Sequence, residues 1–465
     1  MKQYLRGFLS FSLGTWFRAI IGFISTPVIS YLIVPEEFGR ASMFTLVYNV
    51  ALLFSLLGLD QSFVRYYYEK QDKSETFWNC LIPSVVFGMG ISVIFILFER
   101  PLSVVLYGKH YRWIGLLFAL SLLTGILQRY NQLSIRMQKK GILFSTLDII
   151  SSLGNFGGTV LFVLTLSGSF YAIVLGQIVG NISALIAGFL ADRSSRKFAK
   201  LNINLLRIFL KYGLPFVPSS LLYWLFSSID RISLRQYSTF TEIGLYSAAF
   251  KIVSVMQLLQ SGFTTFWIPV AYEKYELNND SKEFFKKANT MVSAILFVAG
   301  IFVLGFKDLI FLLFAKSYRE ASYIAPFLIL YPIMYTISET TVLGINFSKK
   351  THWHIVITSL SAIANFLGNT LLVPILGARG AAVSTGLSYI LFFILRTVIA
   401  KKYYPVDFDL GRIYLCTLLT ITVAAAGTFV KNYAFYGILC VLVMLAILLI
   451  YRDAFSYIKN QLRKK

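Results

Sequence analysis

The sequence NFGGTVLFV at residues 155–163 returns 210 residues later as NFLGNTLLV at residues 365–373. A second segment is repeated in the same way: LSVVLYGKHYR at 102–112 recurs as LIFLLFAKSYR at 309–319. Repeated motifs at nearly one offset are the sequence signature of a duplicated structural unit. We therefore predict that two copies of one unit make up most of the chain.

The composition is typical of a membrane protein. Hydrophobic residues make up 57% of the 465 residues, charged residues only 14%, and the mean hydropathy is +0.69. Soluble domains carry about 25% charged residues. The apolar residues lie in blocks of about 20, the length that a helix needs to cross hydrocarbon. We predict an all-α polytopic membrane protein with about fourteen transmembrane helices, at residues 8–34, 41–62, 77–98, 113–135, 142–166, 170–190, 209–229, 243–268, 288–306, 321–347, 353–376, 380–400, 413–430 and 435–451.

The repeat divides these helices into two six-helix lobes. The predicted N-lobe covers residues 1–195, the C-lobe covers 196–402, and residues 403–465 supply helices 13 and 14 and a basic tail. Because six is an even number, the two lobes are parallel and related by an axis along the membrane normal. One set of loops carries more than twice as many Lys and Arg residues as the other. By the positive-inside rule, both termini and the tail lie in the cytoplasm.

Several other function classes are disfavoured. The net charge of +22 is spread over many short loops, which argues against a nucleic-acid-binding face and for topology and membrane lipids as its cause. His352 and His354 are two residues apart and no cysteine cluster accompanies them, so we expect no metal site. No phosphate-binding Gly-rich loop and no nucleophile–base set occurs, so we expect no enzymatic activity and no bound cofactor.

Four further segments carry a resemblance to a known family. They are PEEFG at 35–39, LGLDQSFVRYY at 57–67, IGLYSAAFKI at 243–252 and WIP at 267–269. With the repeat, they resemble the polysaccharide (Wzx-type) flippases of the multidrug/oligosaccharidyl-lipid/polysaccharide exporter superfamily. The resemblance implies a multidrug-exporter-like fold with a central cationic cavity. It also implies a polyprenyl-diphosphate-linked oligosaccharide as substrate and location in the bacterial cytoplasmic (inner) membrane.

Two cations within predicted membrane helices are the first candidate substrate-binding residues. Arg18 lies about twelve residues into helix 1, roughly 18 Å deep, and Lys251 about eight residues into helix 8, roughly 12 Å deep. Charges within the membrane are costly and generally functional. In the family both helices line the cavity, so the resemblance implies that Arg18 and Lys251 hold the diphosphate. The alternatives are a structural ion pair or an outward tilt towards the headgroups for Arg18, and snorkelling to the membrane surface for Lys251.

The remaining candidates are one arginine, several acids and several amides. Arg129 and Glu339 occupy equivalent repeat positions with opposite charges, so we hypothesise a gate pair between the lobes. Asp148 is either a coupling site for H⁺ or Na⁺ or the partner of a nearby donor, whereas Asp60 is expected to be solvated. Asn155 and Asn365 occupy equivalent repeat positions, which favours a role in polar contacts between helices over a role in substrate binding. Five amides are either glycan contacts or interhelical hydrogen bonds: Gln128, Asn131, Gln132, Gln257 and Gln260.

With the duplicated lobes, which favour alternating access, the resemblance implies a flippase that moves an undecaprenyl-diphosphate-linked oligosaccharide to the outer leaflet. The product would serve capsule, exopolysaccharide or O-antigen synthesis, and other polysaccharide assembly proteins are expected partners. The alternatives are a multidrug exporter coupled to an H⁺ or Na⁺ gradient, a flippase for the peptidoglycan lipid precursor, and a membrane glycan polymerase or ligase. A polymerase or ligase would need a large outer loop, and the predicted outer loops are short.

Overall fold

The computed structural model describes residues 2–69, 72–166, 168–191, 198–277 and 282–456, and these ranges contain helices and no strand. Most of the predicted basic tail lies outside them, at residues 457–465. The first ten helices are α1 (Lys2–Leu32), α2 (Pro35–Leu56), α3 (Leu59–Tyr66), α4 (Lys73–Leu97), α5 (Glu99–Tyr107), α6 (Ile114–Met137), α7 (Gly141–Thr165), α8 (Tyr171–Ala191), α9 (Ile203–Gly213) and α10 (Phe216–Tyr237). The others are α11 (Phe240–Leu277), α12 (Lys282–Gly305), α13 (Lys307–Leu312), the 3₁₀-helix Lys316–Tyr323, α14 (Ala325–Leu328), α15 (Leu330–Thr341), α16 (Leu343–Phe347), α17 (His352–Leu376), α18 (Ala378–Tyr403), α19 (Leu410–Phe429) and α20 (Tyr433–Ile450).

The helices confirm a multi-pass membrane protein. Within the described ranges, ten helices are long and apolar enough to cross a membrane: α2, α4, α7, α8, α11, α12 and α17 to α20. Two bent pairs raise the number to twelve, namely α9 with α10 at 43° and the 3₁₀-helix with α14 and α15 at 53°. The other two of the fourteen predicted spans coincide with α1 and α6, helices of 31 and 24 residues. The interior of α6 is more polar because it carries Gln128, Arg129, Asn131 and Gln132.

The chain forms two compact units, Met1–Ser228 and Ile229–Lys465. The division falls within α10, later than the lobe boundary at 195/196, which stays a prediction. In the first unit α9 packs on α3, where the Ser62 hydroxyl donates to the Phe209 carbonyl at 2.7 Å. Gly58 there has φ +70° and lies so close to Gly213 that a Cβ would approach the Gly213 carbonyl oxygen to 2.0 Å.

The repeat motifs form equivalent helix pairs in the two units. In the first, α7 crosses α8, and a Cβ on Gly176 would lie 2.6 Å from the Asn155 carbonyl oxygen. In the second, α17 crosses α18, and a Cβ on Gly368 would lie 2.4 Å from the Ser384 hydroxyl. Close packing of membrane helices needs small residues at the crossing point. The duplicated motif is therefore a duplicated helix crossing.

A pair of equivalent glutamates extends the repeat beyond the motifs found in the sequence. Glu37, in the first turn of α2, accepts a hydrogen bond from the Phe170 amide just before α8, at 2.9 Å. Glu242, in the first turn of α11, accepts one from the Ala378 amide at the start of α18, at 2.7 Å. The first amides of a helix have no partner within the helix, so each carboxylate caps one. Each unit thus contains the same contact between the first turns of two helices.

Candidate functional site

The first unit holds a polar group between α1, α6 and α7. The Asp148 carboxylate is buried and accepts a hydrogen bond from the Gln132 amide at 2.8 Å. A guanidinium nitrogen of Arg18 lies 4.0 Å from the same carboxylate oxygen, and the Arg18 side chain is 67% exposed. The structure therefore brings three predicted residues together. Asp148 has a nearby donor, as one of its two predicted roles requires, and Arg18 presents the rest of its guanidinium at the surface of the unit.

The other two amides predicted on α6 contact neighbouring helices. The Gln128 amide donates to the Ser151 hydroxyl of α7 at 3.4 Å, and the Asn131 amide donates to the Ala184 carbonyl of α8 at 3.2 Å. Asn131 is buried, whereas Gln128 is half-buried. Asn131 therefore makes an interhelical hydrogen bond, one of its two predicted roles. A role of either amide in binding glycan stays a prediction.

Arg129 of α6 pairs with Asp60 of α3 at 2.8 Å. Asp60 is only 6% exposed, so the expectation that it is solvated is wrong. The reason is the break in the chain at Leu57 and Gly58, which have φ values of +51° and +70°. This break starts the short helix α3 and turns Asp60 toward α6. The gate pair between Arg129 and Glu339 stays a prediction, with Arg129 holding a partner in its own unit.

Glu339 likewise has a partner in its own unit. Arg396 of α18 donates to the Glu339 carboxylate at 2.8 Å and to the Ser338 hydroxyl at 2.6 Å. Both side chains of the ion pair are less than 10% exposed. The Arg396 guanidinium also lies 5.5 Å from the centre of the Tyr335 ring and 5.0 Å from that of Phe392. Arg396 is therefore a buried structural cation that joins α15 to α18.

The predicted residues of α11 lie in the second unit. Lys251 is exposed, and Gln257 and Gln260 are half-buried. The Gln260 amide oxygen is buried without a hydrogen-bond partner among the described residues. A further cation, Arg231, lies on α10, with its guanidinium 5.9 Å from the centre of the Phe250 ring. The second unit thus carries the cations Arg231 and Lys251 and the two amides on α10 and α11.

The sequence analysis missed a buried carboxylate, Asp230, which lies 5% exposed in α10. One carboxylate oxygen accepts hydrogen bonds from the Asn365 amide at 3.1 Å and the Asn369 amide at 2.8 Å. The other accepts from the Tyr246 hydroxyl at 2.6 Å and the Thr385 hydroxyl at 2.8 Å. All four donors are neutral groups. They come from α11, α17 and α18, so Asp230 joins four helices of the second unit.

We call this group the Asp230 cluster (Asp230, Tyr246, Asn365, Asn369 and Thr385). Its carboxylate, amide and hydroxyl oxygens are of the kind that bind small cations. A buried ionised carboxylate is costly unless a cation or a proton compensates its charge. The amide oxygen of Asn369 is buried and lacks a hydrogen-bond partner in the described part of the chain. Carboxylate, amide and hydroxyl oxygens are ligands that hard cations prefer. Repetition of Asn155 as Asn365 was the only sequence signal that pointed to this cluster.

The fold is shared with solved transporters. A lipid II flippase MurJ in an inward closed conformation superimposes with a TM-score of 0.71, at 15% identity, over 96% of this chain and 99% of that one. A multidrug resistance MATE family transporter of the MOP superfamily, inward-facing, superimposes with a TM-score of 0.65, at 12% identity, over 87% of this chain and 96% of that one. At these identities the likeness shows the fold alone, and it agrees with the predicted fold class.

The sequence also matches known relatives. The probable low-salt glycan biosynthesis flippase Agl15 of Haloferax volcanii is 23% identical over 306 residues, and the match spans 64% of this chain and 64% of that protein. A family model described as "Polysaccharide biosynthesis protein" matches residues 4–274, which is more than half of the chain. The chain therefore belongs to this polysaccharide biosynthesis protein family, as its sequence motifs predicted.

Proposed function

We propose that this protein is a flippase that moves a polyprenyl-diphosphate-linked oligosaccharide from the cytoplasmic to the outer leaflet. Membership of the polysaccharide biosynthesis protein family supports it, as do the names of the relative Agl15 and the neighbour MurJ, both flippases. The product would feed capsule, exopolysaccharide or O-antigen synthesis. The proposed location is the bacterial cytoplasmic membrane with both termini in the cytoplasm, which the distribution of Lys and Arg in the loops supports.

The observation that carries the proposal is the polar surface formed by Arg18, Asp148 and Gln132 in the first unit. Placing an arginine in a membrane helix costs about 2.5–3.5 kcal/mol on insertion scales, so an exposed one marks a polar pathway rather than a lipid-facing surface. Arg18 is 67% exposed, and one of its guanidinium nitrogens lies 4.0 Å from the Asp148 carboxylate. Its guanidinium can therefore take a second anion. Because guanidinium binds phosphate oxygens bidentately, a diphosphate is a fitting ligand.

Lys251 would supply a second positive charge to the same substrate. It is exposed on α11, a helix that is long and apolar enough to cross the membrane. An ammonium acts as a point charge and attracts a dianion without a fixed geometry. Arg18 and Lys251 would together draw the diphosphate away from the membrane surface. The half-buried amides Gln257 and Gln260 of the same helix would bind sugar hydroxyls.

The Asp230 cluster would couple translocation to an ion gradient. A proton or Na⁺ bound there would neutralise the buried carboxylate, and its release would restore the charge within the four-helix contact. Such a charge change alters the packing of α10, α11, α17 and α18, which Asp230 joins by hydrogen bonds. An ion shifts a conformational equilibrium when it binds one packing arrangement of these helices more tightly than the other. No other cofactor is proposed, and translocation would proceed without catalysis by this chain.

A cation-coupled multidrug exporter would share the fold. The multidrug resistance MATE transporter that superimposes on this chain shows only that shared architecture. A drug exporter would be expected to carry an acid-rich interior, whereas the exposed charges within the predicted spans of α1 and α11 are the cations Arg18 and Lys251. The lipid-linked, anionic substrate is therefore the better match to this chain.

Complementation tests the proposal in a host that lacks its own flippase gene. We expect Arg18→Ala and Lys251→Ala each to lower surface polysaccharide about tenfold or more, because a hydrogen bond to a charged group contributes about 1.5–3 kcal/mol. The matched control is Arg100→Ala, an exposed cation at the end of a helix. Membrane abundance of each variant is measured by immunoblot. Normal polysaccharide in the Arg18→Ala, Lys251→Ala double variant would refute the assignment.

A further inference from the structure

One end of the second unit contains a cavity that the proposed translocation mechanism does not use. It lies where α11 and α18 begin and α17 ends, beside the 3₁₀-helix, and its volume is about 260 Å³. Three charged and several apolar side chains line it, among them Glu242, Glu320, Arg379, Leu245, Ile324 and Leu376. These helix ends belong to the face that the distribution of Lys and Arg assigns to the outside of the cell. The cavity therefore opens on the side where a flippase releases its product.

Two of the three charged groups of this outer cavity are held in place by contacts outside it. Glu242 is fixed by the hydrogen bond that its carboxylate accepts from the Ala378 amide at 2.7 Å. The Arg379 guanidinium lies 5.1 Å from the centre of the Tyr323 ring, and the Tyr323 hydroxyl is 3.2 Å from that of Tyr433. Groups that are already ordered lose little conformational entropy when a ligand binds. Glu242 and Arg379 are therefore already positioned at the wall of the cavity.

The first unit fills the equivalent end with its own side chains. Glu37, the counterpart of Glu242, is ion-paired with Arg40, which is itself buried. The ring of Phe170 packs against the rings of Tyr111 and Tyr171, with centroid distances of 4.9 Å and 4.8 Å. In the first unit, Arg40 is thus paired with both Glu36 and Glu37, and three packed rings lie beside this end. This end of the first unit has a structural role.

The second unit lacks part of that filling, although Tyr111 has an aromatic counterpart in the buried Tyr318. At the repeat offset of 210 residues, Phe170 and Tyr171 correspond to Gly380 and Ala381, which carry no rings. Arg40 corresponds to Leu245 at the offset of 205 that relates Glu37 to Glu242, so no arginine at that position of α11 neutralises Glu242. At this duplicated position the first unit thus has an arginine paired with its glutamate, whereas the second unit has a cavity with polar groups at its wall.

We infer that the outer cavity binds one sugar unit of the translocated glycan, an inference that rests on the proposed flippase function. A sugar presents hydroxyl groups, which Glu and Arg bind as acceptors and donors, and apolar C–H faces, which fit Leu245, Ile324 and Leu376. The two glutamates exceed the single arginine in charge, so the cavity repels an anionic diphosphate. The glycan, and not its diphosphate, is therefore the part of the substrate that fits, which makes the cavity a release-side glycan site.

Equilibrium binding to the purified full-length protein in nanodiscs tests this site. The probe is the free oligosaccharide released by mild acid from the host's lipid-linked precursor, with inorganic diphosphate as a competitor. We expect Glu320→Gln and Arg379→Gln each to raise the dissociation constant about tenfold or more, because each removes a charge-assisted hydrogen bond. The control is Arg319→Gln, an exposed residue of the same 3₁₀-helix that does not line the cavity, and we expect a change below twofold.

Three results would overturn the site: no oligosaccharide binding by the wild type, equal affinities in all variants, or displacement of the oligosaccharide by diphosphate. Translocation of the lipid-linked precursor by the same wild-type preparation separates this failure from failure of the proposed function. If the wild type translocates but the cavity variants bind glycan unchanged, only the glycan site is wrong. If the wild type does not translocate, the flippase function itself is wrong.

Discussion

Replacement of Asp230 by Asn tests the coupling role of the Asp230 cluster. The change keeps the size of the side chain and one carbonyl oxygen, but removes the charge on which four neutral donors converge. A bound cation about 4 Å from the carboxylate gains about 4 kcal/mol at an effective dielectric constant of 20. Loss of that term lowers cation affinity about a thousandfold. The fold should survive, because the cost of burying an ionised carboxylate disappears together with the stronger hydrogen bonds to it.

The assay is the initial rate of translocation in proteoliposomes with an imposed H⁺ or Na⁺ gradient. We expect the gradient to accelerate the wild type and to have no effect on Asp230→Asn, with the thermal unfolding midpoint of the variant within a few degrees of wild type. The control is Asp407→Asn, which changes an acid of the same unit whose side chain is 91% exposed. A gradient effect of wild-type size in Asp230→Asn would refute coupling at this carboxylate.

Two further predictions concern the helix contacts. Gly176→Ala should lower stability by about 1–3 kcal/mol, because its Cβ would lie 2.6 Å from the Asn155 backbone oxygen, whereas Gly157→Ala, with no atom within 4 Å, should not; equal unfolding midpoints would contradict the close crossing. Arg396→Leu should cost about 3–5 kcal/mol by leaving the Glu339 carboxylate buried and unpaired, and the double variant with Glu339→Leu should recover most of it; additive losses in unfolding experiments would contradict the ion pair.

The fold could be predicted from sequence because both of its signals are local or repeated. Blocks of about 20 apolar residues identify membrane helices directly, since hydrocarbon admits little other backbone structure. The duplicated NFGGTVLFV motif identified α7 and α17 as equivalent helices, and its repeated glycine, Gly158 in one copy and Gly368 in the other, lies where each helix crosses the next. The breaks in the chain before α3 and before α15 were not predicted, because apolar composition does not indicate where a helix bends.

The Asp230 cluster could not be predicted, for two physical reasons. The seventh span was expected to end at residue 229, which placed Asp230 in an outer loop; α10 instead begins after the break at Pro215 and continues to Tyr237. The donors to Asp230 come from helices up to 155 residues away in the chain. Only tertiary packing brings them together, and a single sequence carries no record of that packing beyond the repeated asparagine.

The partners of Arg129 and Glu339 show the same limitation. Their equivalent repeat positions and opposite charges suggested that they pair with each other. Within its own unit, however, Arg129 pairs with Asp60, which follows the left-handed residues Leu57 and Gly58. Glu339 pairs with Arg396, which lies 57 residues further along the chain. The sequence shows directly that Arg129 and Glu339 are charged residues within predicted spans. It could not predict which local partner each one would find.

Translocation by the purified protein is the most direct test of the proposed flippase function. Liposomes containing the protein and a lipid-linked oligosaccharide are treated from outside with a membrane-impermeant oxidant, and the rate at which protected glycan becomes accessible is measured. We predict that wild-type protein and Arg100→Ala exceed protein-free liposomes, and that the Arg18→Ala, Lys251→Ala double variant falls to the protein-free rate. A wild type no faster than protein-free liposomes would contradict the flippase function, and a double variant as fast as wild type would contradict the role of Arg18 and Lys251 in it.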